Sequence, residues 1–112
     1  MIVRSVLLVE ADRRLARLVA RELERRHQVT VRPSAEGALH ALRDGLDVDV
    51  LLSAYRLAHG TTARRLLSEL RVRRPRPRLV VYSDEPLRPD ACRLADEVVD
   101  GDFAKLLLAV ER

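Results

Sequence analysis

The chain has 112 residues, 47% hydrophobic and 34% charged, which suits one domain with a single buried core and argues against disorder or a fibrous class. A formal charge of +4 and a sequence pI near 10.2 are carried almost wholly by arginine, Lys105 being the sole lysine. Only 3% of the residues are aromatic, so base stacking on aromatic platforms is disfavoured and the core must be built from Leu, Val and Ala. Cys92 is the one cysteine, leaving neither a disulfide framework nor a zinc spacing and pointing to a reducing cytoplasm. The opening segment is too soon interrupted by charge for a signal peptide or a membrane span.

Taken in chain order, Val6 to Val9 form a short apolar run ending at Glu10, and the next segment changes to helical spacing with Leu15, Leu18, Val19 and Leu23 on one face. Asp12 stands where a carboxylate caps that helix, a reading favoured over metal binding. Gln28 to Arg32 alternate as a second strand, Pro33 and Ser34 punctuate, and Ala35, Ala38, Leu39 and Leu42 make a second helical stripe closed by Gly45. Val48 to Ser53 read as a third strand. Gly60, Thr61 and Thr62 then form a loop and cap before a third helix carrying Ala63, Leu66, Leu67 and Leu70.

Pro75 and Pro77 keep the stretch from Arg71 to Arg78 out of a helix interior. Leu79 to Tyr82 resume as a buried strand, and after Pro86 and Pro89 only a short fourth helix fits, around Asp90 to Leu94. Glu97 to Val99 are a fifth strand, and Phe103, Leu106, Leu107 and Val110 set a last helix against the sheet. Strands alternating with helices across short loops predict an α/β fold: one flavodoxin-like, doubly wound sheet of five parallel strands, (βα)5, spanning residues 1–112.

This order and its local sequences resemble the receiver domain of two-component response regulators along essentially the whole chain. The resemblance implies a crevice at the carboxyl ends of the strands, where a working receiver carries two adjacent acids, a phosphoacceptor aspartate, a Thr or Ser, and a lysine. Here Leu8-Val9-Glu10-Ala11-Asp12 puts Glu10 at the first acid and Ala11 at the second. Ser53-Ala54-Tyr55-Arg56-Leu57 assigns Ala54 to the phosphoacceptor, with Ser53 as the alternative if the register shifts by one. Ser83 takes the hydroxyl position, Gly101 replaces the lysine and Asp102 the following proline, while Val98 stands where receivers often carry a switching aromatic.

Magnesium requires several converging oxygens, and phosphoryl transfer requires cations against the developing charge. With an acid, the acceptor and the lysine all replaced, and with Asp100 and Asp102 adding negative charge, the expectation is a degenerate pseudo-receiver that repels phosphate. It would work without cofactor or metal, and without catalysis, through contact with a signalling protein: a kinase, a regulator or another receiver. A homodimer is allowed, although the shortened fourth helix weakens the output face built on helix four, strand five and helix five.

Three further groups invite a function. His27, His40 and His59 share no metal spacing and are expected at the surface. Ser83 with His59 and Asp84 lacks the glycines of a nucleophile elbow, so a hydrolytic triad is disfavoured. Arg71, Arg73, Arg74, Arg76 and Arg78, joined by Arg25 and Arg26 at the same end of the sheet, form a basic surface, read first as solvated arginine and second as an acidic docking site. Nucleic-acid binding through that end is the alternative function.

Overall fold

The computed structural model describes residues 2–112, apart from the Cys92 side chain, so the expected free thiol lies outside the described residues. Five parallel strands, β1 (Ser5–Val9), β2 (Gln28–Arg32), β3 (Val50–Ala54), β4 (Arg78–Ser83) and β5 (Glu97–Asp100), pair in the order β2-β1-β3-β4-β5. Between them run α1 (Arg13–Leu23), α2 (Ala35–Arg43), α3 (Arg64–Arg71) and α4 (Pro89–Leu94), and α5 (Phe103–Glu111) closes the chain. The doubly wound arrangement read from the sequence is therefore the observed one. Helices α1 and α5 pack on one face, and α2, α3 and α4 on the other.

Burial follows strand position. Central β3 is buried at every residue and β1 at four of five, because helices cover both faces, whereas edge strands β2 and β5 are only partly buried. Leu7, Leu8, Leu51, Leu52, Leu66, Leu67, Leu70 and Leu79 supply the largest fully buried side chains. The core is aliphatic, as the scarcity of rings requires.

Local chemistry sets the helix starts. Asp12 caps α1, its Oδ1 accepting from the backbone N–H of Arg14 at 2.9 Å and Leu15 at 3.2 Å. Ser34 caps α2 through Gly37 N–H at 3.0 Å, and Asp102 caps α5 through Ala104 N–H at 2.9 Å. Ahead of α3 the chain makes a 3-10 turn (Ala58–Gly60), and Thr62 Oγ1 accepts from Arg64 N–H at 3.3 Å. Gly45, with φ of +103°, supplies the left-handed residue just past α2.

One predicted face is corrected. The buried stripe of α1 is Ala16, Val19, Ala20 and Leu23, while Leu15 and Leu18 are exposed. Both stripes have helical spacing, but α1 lies over β1 and β2 and against α5, so the smaller alanines meet the sheet.

Candidate functional site

In an open parallel sheet the functional crevice opens where adjacent connections leave in opposite directions. Here that point lies between β1 and β3. A cavity of about 350 Å³ occupies it, lined by Glu10, Asp12, Ala54, Arg56, Tyr82, Ser83, Asp84 and Gly101 among others. The fold thus brings Glu10, Asp12, Ala54, Ser83 and Gly101 to the wall of one cavity. Ala11, half-buried, does not line the cavity.

Glu10 follows β1 and is only 7% exposed. Both of its carboxylate oxygens are occupied: Oε1 accepts from the Tyr82 hydroxyl at 2.7 Å and Oε2 from Asp12 N–H at 2.9 Å. Tyr82 is the register partner of Ala54 on the adjacent strand, so their side chains leave the same face of the sheet. The methyl group of Ala54 leaves room above β3, and the phenol reaches across to Glu10. Burial, with the Glu10 carboxylate beside it, pushes the Tyr82 phenol well above its ordinary value, so it remains a donor.

Tyr82 was legible in the sequence only as a core residue. The available signal was its hydroxyl: a buried phenol needs a partner, and Glu10 is the acid at the end of a nearby strand. Ser53, the alternative position if the register shifts by one, does not line the cavity. Ser53 is fully buried and its Oγ donates to the Ala54 carbonyl at 2.8 Å, away from the cavity.

Ser83 ends β4 half-buried, its Oγ accepting from Glu85 N–H at 3.2 Å. Gly101 follows β5 with the Asp84 Cβ 3.4 Å from where its own would stand. Asp100 is not the free negative charge expected from sequence, because Lys105 Nζ donates to it at 2.9 Å and holds its carboxyl below the usual range. Asp102 is spent on the α5 cap. At the mouth, Arg56, which sequence reasoning passed over, pairs with Glu85 at 3.1 Å. Acids still outnumber cations along the cavity wall, Glu10, Asp12 and Asp84 against Arg56. Val98 lies on edge strand β5 and is 38% exposed.

His40 and His59 are exposed, as expected, but His27 is not. It is 7% exposed, with Nδ1 accepting from Arg4 N–H at 3.0 Å and Nε2 3.6 Å from Glu111 Oε1. The turn after α1 folds it under the amino ends of β1 and β2. Among the described residues no three His, Cys, Asp or Glu side chains form a group able to hold a metal ion. His59 lines a separate cleft with Ser34 and Thr62, apart from Ser83 and Asp84.

The basic surface predicted at the amino ends of the strands is largely consumed within the fold. Arg76 makes a two-pronged contact with Asp96 at 2.7 and 2.9 Å, and Arg78 bonds Glu97 and the Ala109 carbonyl. Arg71 donates to the Leu94 carbonyl, and Arg74 to the carbonyls of Arg71 and Arg73. Arg26 pairs with Glu111 at 3.2 Å, and Arg25 lies 3.9 Å from Glu22. Two strands separate β2 from β4, so the two halves of this surface stand roughly 14 Å apart at ordinary strand spacing.

The chain superimposes on a CheY-like response regulator receiver domain from Methylobacillus flagellatus with a TM-score of 0.83 at 23% identity, covering 98% of each chain. The fold is that of a CheY-like receiver. TrrA of Thermotoga maritima, a response regulator solved in complex with Mg(2+)-BeF, matches with a TM-score of 0.83 at 18% identity over 96% of each chain. NtrX of Brucella abortus matches at 0.84 and 22% identity, over 99% of this chain and 26% of its own. No protein-family model and no curated protein matches the sequence. Among the described residues no helix is long and apolar enough to cross a membrane.

Proposed function

We propose that this receiver-fold domain is a pseudo-receiver: a signalling module that acts through protein contact and is not phosphorylated at an aspartate. The observation that carries this reading is the Tyr82–Glu10 hydrogen bond beside Ala54. Residue 54 has no carboxylate to accept a phosphoryl group. The one acid at the end of β1 has both oxygens engaged, and Gly101 offers no cation. Phosphoryl transfer depends on positioned cations and a metal, and each replacement removes one of those parts.

The domain is proposed to act in the cytoplasm, without catalysis, on a kinase, a regulator or another receiver. Ion pairing of Arg76, Arg78 and Arg26 withdraws much of the charge on which nucleic-acid binding at that end would rely. Exposure to acetyl phosphate, or to beryllofluoride with magnesium, tests the reading directly. The expected result is an unchanged mass and unchanged amide resonances around Glu10, Ala54 and Ser83. A stoichiometric aspartyl adduct, or chemical-shift changes centred on that crevice, would overturn it.

A further inference from the structure

Helix α1 carries four arginines. Arg13, Arg17 and Arg21 recur at every fourth residue and so form one row along the helix, rising about 6 Å per step and about 12 Å in all. All three are exposed, and none has an ion pair or side-chain hydrogen bond among the described residues. Arg26, Arg76, Arg78 and Arg112 are paired with carboxylates, whereas Arg14, Arg73, Arg88 and Arg93 share the row's lack of a side-chain partner among the described residues; what distinguishes Arg13, Arg17 and Arg21 is that all three line one groove at a regular spacing.

The row borders a groove of about 680 Å³ between α1 and edge strand β2, floored by Ala16, Ala20, Val31 and Pro33. Glu10 and Glu24 stand at its two ends. Cations in the middle, an apolar floor and carboxylates at both ends select for length as well as sign. A polyanion that runs on past the groove meets negative charge at each exit. A short acidic segment with apolar side chains between its carboxylates does not.

We propose that the α1/β2 groove is a docking site for an acidic amphipathic helix of a partner protein, with carboxylates at i, i+4 and i+8 in register with Arg13, Arg17 and Arg21. A helix alongside α1 repeats at the same 6 Å step, so all three pairs form together. This assigns a surface and a partner class to the protein-contact reading given above, on which it rests. It uses no residue of the phosphate chemistry in its binding row.

The test is fluorescence anisotropy with a labelled 12-residue helical peptide bearing Glu at positions 2, 6 and 10 and Leu or Ala between, against a 12-nucleotide single strand. The full chain is compared with the R13A/R17A/R21A triple variant and with an R73A/R74A control. Saturable peptide binding that weakens with salt, falls about tenfold or more in the triple variant and persists in the control supports the site. Binding of a Lys-for-Glu peptide to R13E/R17E/R21E would support it independently. No binding up to millimolar peptide, equal binding by the triple variant, or tighter binding of the oligonucleotide overturns it. None of these outcomes bears on beryllofluoride, so failure here and failure of the pseudo-receiver reading are told apart.

Discussion

Tyr82 donates its phenolic hydrogen to Glu10 at 2.7 Å, joining the end of β4 to the end of β1 across a separation of 72 residues. Both groups are buried, at 6% and 7% exposure, so the bond sits where an unmade hydrogen bond is expensive. It spans the sheet on the side where Ala54 leaves space.

Tyr82→Phe is expected to destabilise the fold by about 1–3 kcal/mol, since it keeps the ring but strands a buried carboxylate oxygen. Urea denaturation at pH 7 measures it. Tyr82→Phe combined with Glu10→Ala should cost less than the two single changes added, as partners in one bond do. Strict additivity would mean that the bond is not formed in solution.

Placing a carboxylate at position 54 by Ala54→Asp is expected to cost about 2–4 kcal/mol at pH 7, because the new charge is buried beside Glu10 and against the Tyr82 ring. Desolvation and the like charge raise the pKa of such a group above its unfolded value. The penalty is therefore fully present above the raised pKa and shrinks as pH falls toward about 4. Denaturation midpoints at several pH values test this, and a deficit independent of pH would point to steric strain instead.

His27→Leu is expected to lower stability by about 1–3 kcal/mol, although the volume changes little. The buried ring accepts from Arg4 N–H and faces Glu111, so leucine leaves that backbone donor without its partner. Amide hydrogen exchange at Arg4 should accelerate along with the fall in the denaturation midpoint. An unchanged rate would remove this role from the imidazole.

Asp96 receives both prongs of Arg76 and the Leu79 N–H, and the Arg76 contact draws its pKa from 3.8 down to about 2. A lowered carboxylate pKa contributes stability that is complete above the unfolded value and is lost as pH falls through the folded one. Solvent screening at this partly exposed pair reduces the contribution to about 1 kcal/mol. Asp96→Asn should therefore cost about that much at pH 7, with the gap to the parent closing between pH 3.8 and about 2. A gap that stays constant over that window would assign the cost to geometry and not to charge.

By itself the sequence determined the alternation of strands and helices, because periods of 2 and 3.6 are local properties of a few adjacent residues. It also determined which residue types stand at the crevice: Ala54 and Gly101 are identities, and the receiver-like order put them beside Glu10 before any coordinate did. The tertiary structure decided how the remaining polar groups are spent. Tyr82 looked like core, His27 like surface, Asp100 like added negative charge and the Arg71 to Arg78 run like solvated arginine first and a docking face second. Their partners, Glu10, Arg4 and Glu111, Lys105, and Asp96 with Glu97, come from other elements or from another turn of chain. Helix α1 shows the same division. Its spacing allowed two apolar stripes, and only packing over β1 and β2 selected the alanines, leaving Arg13, Arg17 and Arg21 along the groove without a side-chain partner among the described residues. Local pattern fixes which element forms; strand order and helix placement fix which charges meet, and that cannot be read along one dimension.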